Sequence, residues 1–233
     1  TVLVTERPVE EELKASGLSG EELNKITVVM VEEGRHALAL LSAARFDHPA
    51  KKLVMIGVTG TKGKTTTTHM IKTILETSGK KTGMIGTNGV YIGEEHFPTV
   101  NTTPESYDLH RYFAKMVEAG CRYIVMEVSS QSYLMHRVDG LFFDYGIFLN
   151  ISNDHIGPNE HASFEEYLYY KKQLLKNCRT ALVNRDDPHF DAIVEGATAE
   201  ILTFSLEQAA DFTADDIHYV REHDFVGVEF QTH

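Results

Sequence analysis

Gly57-Val58-Thr59-Gly60-Thr61-Lys62-Gly63-Lys64-Thr65-Thr66 is the stretch on which the reading of this chain turns. It stands between an apolar run at 53–59 and a helical pattern over 64–78. Glycines there let the backbone turn its N–H groups inward toward phosphate oxygens, and the following helix N-terminus adds favourable partial charge. In such a loop, lysine at position 64 reaches the terminal phosphates and the Thr65 hydroxyl binds magnesium. The candidate nucleotide contacts are therefore Gly60, Thr61, Lys62, Gly63, Lys64, Thr65 and Thr66. One departure stands out: the first glycine of the general pattern is replaced by Val58. ATP or a related nucleotide is the expected cofactor, although the loop alone does not name a reaction.

Outward from the loop the chain repeats strand, loop and helix. Strands are expected at 53–59, 81–86, 123–128, 145–150 and 181–184, and helices at 64–78, 104–119 and 163–177. Alternation of this kind predicts an α/β fold, a mostly parallel sheet with flanking helices of the phosphate-loop type. Ligands in such sheets bind at the carboxyl ends of the strands. Before the loop, 1–25 is polar and Glu-rich, 26–31 reads as a short strand, and 33–46 as a helix with Ala37, Leu38, Leu41 and Ala44 on one face. A strand-like run at 225–230 ends the sequence with nothing after it to pair, and the strands near 215–230 look antiparallel.

The 233 residues are 42% hydrophobic and 24% charged, which suits a soluble globular protein with a sizeable core. A formal net charge of −12 with no basic patch argues against nucleic acid as a partner. Two cysteines without CxxC spacing make a disulfide framework or a zinc site unexpected and fit a reducing cytoplasm. No apolar run reaches membrane-spanning length, so no membrane is expected as a partner.

Four further segments carry candidate chemistry. Asn101-Thr102-Thr103-Pro104 precedes a helix, where free N–H groups and hydroxyls can hold an anion, or where proline merely opens a capped helix. Met126-Glu127-Val128-Ser129-Ser130-Gln131 ends a buried strand with a carboxylate placed to bind magnesium. Arg137, a little later, is either a bidentate partner for a substrate carboxylate or one half of a surface ion pair. Asn150-Ile151-Ser152-Asn153-Asp154-His155 follows the next strand, and His155 is a metal ligand or a structural histidine. Phe164 to Lys172 is an amphipathic helix whose lysines read by default as a solvated face.

In this order the segments resemble the Mur ligase family: Gly-Thr-x-Gly-Lys-Thr-Thr, Thr-Thr-Pro, Glu-Val-Ser-Ser, His-Arg, Asn-Ile-Ser-x-Asp-His and a Tyr-x-x-x-Lys helix, over about 53–187. Within the family the chain is most similar to the members that add the third residue of the peptidoglycan stem. Thr61-Lys62-Gly63, Thr103-Pro104-Glu105-Ser106, Ser130-Gln131-Ser132-Tyr133-Leu134 and Asp154-His155-Ile156-Gly157-Pro158 resemble their lysine-adding form.

The resemblance implies that Lys64 and Thr65 hold ATP phosphates and magnesium, that Glu127 binds magnesium, and that His155 helps bind a second metal ion. It implies that Thr102, Thr103, Ser129 and Arg137 hold the muramoyl dipeptide. Lys171 matches the family's carbamylated lysine and is preferred over Lys172 from its spacing after Tyr167; a carbamate turns a cation that repels magnesium into an anion that orients it. Lys64, Lys171 and His155 are thus the expected catalytic residues.

The implied organisation is a remnant of an N-terminal UDP-binding domain and linker at 1–50 and a central ATP-binding domain at 51–233, incomplete at both ends. A C-terminal amino-acid-binding domain would be absent. The implied reaction is ATP-dependent ligation through an acyl phosphate, joining L-lysine to UDP-N-acetylmuramoyl-L-alanyl-D-glutamate in a bacterial cytoplasm, with a monomer expected. The alternatives are another ligase on the same scaffold, such as folylpolyglutamate synthetase, and a binding module without catalysis.

Overall fold

A phosphate loop needs a buried strand in front of it and a helix behind, and the chain supplies both. In the computed structural model, which describes residues 1–154, 156–157, 160–222 and 225–233, the strands are β1 (Val2–Thr5), β2 (Thr27–Met30), β3 (Val54–Thr59), β4 (Thr82–Gly86), β5 (Gly89–Ile92), β6 (Glu95–Phe97), β7 (Tyr123–Glu127), β8 (Phe143–Phe148), β9 (Cys178–Asn184), β10 (Glu200–Ser205), β11 (Phe212–Glu222) and β12 (Phe225–Thr232). The helices are α1 (Glu10–Ala15), α2 (Gly20–Leu23), α3 (Gly34–Arg45), α4 (Lys64–Thr77), α5 (Ser106–Glu118), α6 (Ser130–Leu134), α7 (Phe164–Lys171) and α8 (Phe190–Val194).

The main sheet has ten strands in the order β12-β11-β10-β9-β8-β3-β7-β4-β5-β6. From β11 to β4 every neighbouring pair is parallel, and antiparallel strands close both edges. The centre of the sheet is buried on both faces, which is why its strands read as apolar runs. Alternate residues feed different sides. Met55, Ile124 and Met126 join the large core beneath α5, whereas Ile56, Val58 and Val125 pack with Ile71 and Leu75 of α4 on the other. Val58, the residue that breaks the loop pattern, is fully buried in that second core. It therefore belongs to the strand, and the turn toward phosphate begins at Gly60.

α5 lays Leu109, Phe113 and Met116 into the core at helical spacing. α3 packs on α5 differently from the expected face. Ala39 and Ser42 are its buried residues, while Leu38 and Leu41 are 44% and 53% exposed. The small side chains allow close helix approach, and the leucines point outward. Three further expectations change. The 163–177 helix is α7 followed by a 3-10 segment, Lys172–Lys176. The 225–230 run pairs backward with β11, so it needs no later partner. The Glu-rich opening contributes β1, which pairs in parallel with β2 in a separate two-stranded sheet. Cys121 and Cys178 are buried free thiols. Among the described residues no helix is long and apolar enough to cross a membrane.

The core includes titratable groups, His110 among them. His110 of α5 is 2% exposed with no hydrogen-bond partner on either ring nitrogen, and burial pushes its pKa down to about 4. The neutral form is the one that fits the core. The unfolded chain takes up the proton first, so this contribution is complete above about pH 6.5 and is lost as pH falls toward 4. His110→Leu should flatten the stability profile in that window, removing a loss on the order of 3 kcal/mol from wild type. Denaturant unfolding at several pH values measures it.

Candidate active site

Parallel strands bring their carboxyl ends to one edge, and β8, β3, β7 and β4 are consecutive neighbours. Asn150, the phosphate loop, Glu127 and Thr87 follow them in turn. The loop is braced from the β8 side. Thr61 N–H donates to the Asn150 carbonyl at 3.0 Å, and Lys62 N–H to Asn150 Oδ1 at 2.9 Å. Ser152 N–H donates to Thr61 Oγ1 at 3.1 Å, and that hydroxyl meets the Tyr167 hydroxyl at 3.2 Å. Gly60 (φ 153°) and Gly63 (φ 87°) occupy conformations that L side chains rarely adopt. A Cβ on Gly60 would also lie 3.0 Å from Leu149 Cβ. Gly63 precedes α4 and offers no side chain to cap it. The first-turn N–H groups have no partner within a helix, which suits a phosphate.

Two lysines converge on this loop. Lys64 Nζ donates to the Gly60 carbonyl at 2.7 Å and Lys171 Nζ donates to the same oxygen, also at 2.7 Å. Lys171 is 2% exposed, and its Nζ lies 4.7 Å from the centre of the Tyr167 ring. Burial, reinforced by the nearby Lys64 charge, holds the Lys171 amine well below the usual lysine range. Burial lowers Lys64 as well, opposed by Glu127. Lys172 points elsewhere, to the Ala192 carbonyl at 3.2 Å and Glu195 at 3.5 Å. Lysine 171 is therefore the member of the pair that faces the loop.

Glu127 is 1% exposed and satisfied on every side. Its Oε1 accepts from Thr65 Oγ1 at 2.9 Å and from Thr87 N–H at 2.8 Å; its Oε2 accepts from Thr87 Oγ1 at 3.2 Å. A hydroxyl and a carboxylate in contact beside a phosphate loop form an oxygen-donor set suited to magnesium. Gly86, at the end of β4, makes room for the carboxylate, since a Cβ there would collide with Glu127 Oε1.

A cleft of about 340 Å³ opens beside these groups, lined by Lys64, Lys171, Thr102, Ser129 and Arg137 among others. Ser129 caps α6 by accepting from Ser132 N–H at 3.2 Å. Arg137 Nη2 pairs with Glu105 at 2.8 Å, and Arg35 reaches the other oxygen of that carboxylate at 3.1 Å. Thr103 lies under the cleft rather than on it: fully buried, its hydroxyl donates to the Glu127 carbonyl at 2.9 Å. Lys62 is exposed and pairs with Asp154 at 2.6 Å. Thr66 faces a separate apolar groove with Met70, Ile74 and Phe230. His155 lies outside the described residues. Site-lining residues that pattern reading missed include Thr87, Gln131 and Glu160. Thr87 follows a glycine at a strand end, the one signal that pointed to it.

A phosphate loop across from a strand-end carboxylate, beside a cleft lined with hydroxyls and a guanidinium, defines a nucleotide-using enzyme core of the phosphate-loop class. Residues 58–232 match the Mur ligase middle domain, and the chain belongs to that family. It is 45% identical over 197 residues to the UDP-N-acetylmuramoyl-L-alanyl-D-glutamate–2,6-diaminopimelate ligase of Clostridium perfringens, covering 82% of this chain and 40% of that protein. It is 45% identical over 170 residues to the UDP-N-acetylmuramoyl-L-alanyl-D-glutamate–L-lysine ligase of Streptococcus thermophilus, covering 73% of this chain and 35% of that protein. The chain thus spans two-fifths or less of these relatives. A solved 2,6-diaminopimelate ligase superposes with a TM-score of 0.78 at 23% identity, over 98% of this chain and 44% of that one. Folylpolyglutamate synthase of Mycobacterium tuberculosis superposes at 0.63 with 13% identity, over 84% of this chain and 51% of that one. These two likenesses speak to the fold alone.

Gly86→Ala should destabilise the chain by about 1–3 kcal/mol, because the methyl group displaces a buried, fully bonded carboxylate. Denaturant midpoints read this directly. Gly20→Ala, where a Cβ meets nothing within 4 Å and φ, as at Gly86, is not positive, serves as the control without the collision.

Proposed function

We propose that this chain is the ATP-binding core of an enzyme that joins L-lysine to UDP-N-acetylmuramoyl-L-alanyl-D-glutamate in the bacterial cytoplasm, an ATP-dependent step of peptidoglycan synthesis. The observation that carries the reading is the shared cleft. Lys64 and Lys171, which converge on the loop, line it together with Thr102, Ser129 and Arg137. A substrate carboxylate held by Arg137 would lie across from nucleotide phosphates held by the loop.

A carboxylate is a poor electrophile, and phosphorylation supplies the missing leaving group. A carboxylate oxygen of the D-glutamate attacks the γ-phosphorus, the bond to the β–γ bridging oxygen breaks, and an acyl phosphate and ADP result. The amine of the third amino acid then attacks the acyl carbon, and phosphate leaves. Lys64 and the loop N–H groups stabilise charge on the transferring phosphoryl oxygens. Thr65 and Glu127 would hold a magnesium ion, whose positive charge serves the same end. We assign His155 and a carbamylated Lys171 to a second ion. The buried Lys171 amine, forced toward its free base beside Lys64, is a nucleophile for carbon dioxide. The neutral amine and carbon dioxide give a carbamate anion and one released proton; counted from the ammonium form two protons leave, and the lysine changes from a cation to an anion.

Diaminopimelate is the second reading for the incoming amino acid, favoured by the 45% identity to the C. perfringens protein. In the longer parent protein, ADP release with dipeptide substrate and L-lysine should greatly exceed release with diaminopimelate; the reverse preference replaces lysine. Lys64→Ala should lower that turnover by at least ~100-fold while the protein stays folded, as expected for loss of a transition-state charge partner. Retained turnover sinks the assignment. Growth of a carbamate carbonyl signal in ¹³C spectra under ¹³C-bicarbonate, absent in Lys171→Met, tests the modification.

A further inference from the structure

We propose that His36, His136 and Asp139 form a binding site for a divalent transition-metal ion of the zinc class, which clasps α3 to the turn after α6. The cluster stands on geometry separate from the cleft. His36 lies in the first turn of α3, while His136 and Asp139 lie just after α6, about a hundred residues later. His36 Nδ1 is 2.7 Å and His136 Nδ1 2.8 Å from the same oxygen, Asp139 Oδ2. One ligand atom from each residue falls within 4.8 Å of the others, and no second such group of three occurs among the described residues.

The chemistry favours an ion of this class. Two imidazoles and one carboxylate suit zinc, cobalt or nickel far better than magnesium or calcium, which prefer oxygen donors. Bond lengths of about 2.0–2.2 Å to zinc put tetrahedral donors roughly 3.4 Å apart, so both histidine nitrogens, now at 2.7 and 2.8 Å from Asp139 Oδ2, must draw back by roughly 0.6 Å. His136 holds φ 54°, a backbone region that costs a non-glycine residue energy and that here aims its ring at Asp139. Behind that ring, Glu33 Oε2 lies 4.0 Å from Nε2, beyond hydrogen-bond length and one short shift from the contact by which a carboxylate orients a ligating histidine. Side-chain exposures of 50% at His36 and 37% at His136 leave room for a water as a further ligand. The cysteine count, which spoke against zinc, has no bearing on an imidazole site.

The placement suggests a purpose. Arg35 and Arg137 flank these histidines in sequence, and both guanidinium groups pair with Glu105. The same two segments are therefore joined twice, by arginines through Glu105 and by histidines through Asp139. An ion at the histidine clasp would fasten α3 to the residue that presents Arg137 to the cleft.

The chain, stripped of metal by a chelator and kept in excess magnesium to fill oxygen-donor sites, is titrated with cobalt(II) and followed by visible absorption. Expected is one equivalent of a low-coordinate cobalt spectrum, displaced by zinc. Affinity should fall roughly tenfold or more in His36→Ala, Asp139→Asn and His136→Asn; asparagine tolerates the left-handed backbone at 136. Zinc should raise the melting temperature of wild type and not of the variants. Absence of saturable binding overturns the proposal, as does equal binding in all three variants. Circular dichroism confirms folding; were Asp139→Asn to unfold, His36→Ala, with half its side chain in water, decides.

Discussion

Two lysine amines far apart in sequence meet on one carbonyl oxygen, that of Gly60. Burial pushes each amine toward its neutral form, and at Lys171 the nearby Lys64 charge adds to the effect. The arrangement persists because the sheet fixes both. Lys64 opens the helix behind β3, and Lys171 ends the helix whose Tyr167 packs under the loop. What relieves the strain is negative charge. Nucleotide phosphate on one side and a carbamate on the other would turn a repulsive pair into a matched set.

Glu127 plays the balancing part on the far side of the loop. Buried at the end of β7, it is stabilised by hydrogen bonds from Thr65 and Thr87 and by the void left at Gly86. Its backbone carbonyl also receives the Thr103 hydroxyl, and Thr103 in turn accepts the Ser129 N–H at 3.3 Å. The carboxylate is thereby tied to the segment that walls the cleft, so a displacement at Glu127 would be felt along the cleft wall. Thr103 acts through this tie, while Thr102 and Ser129 face the cleft itself.

Much of this was legible in the sequence, for a physical reason. A parallel sheet gathers strand ends, so motifs at strand ends become neighbours without further information. That is how 57–66, 101–104, 126–131 and 150–155 could be read as one site. The choice of Lys171 over Lys172 came from the family resemblance, whereas the residue pattern by itself put both lysines on a solvated face and Lys171 is buried. Other features were hidden. Thr103 looks like an anion ligand by type, and only its burial shows that its hydroxyl is used internally. The buried face of α3 escaped the pattern because its contact with α5 is made by small side chains, Ala39 and Ser42, while its leucines face outward. The antiparallel look of 215–230 is realised as the β11–β12 hairpin, which closes backward along the chain.

The account depends on the loop being a phosphate site. Calorimetric titration of this chain with a non-hydrolysable ATP analogue and magnesium tests that most directly, with Lys64→Ala beside it. The account predicts saturable one-to-one binding by the wild-type chain that is lost in the variant. A well-folded chain that takes up no nucleotide, or binding that survives Lys64→Ala unchanged, would contradict it.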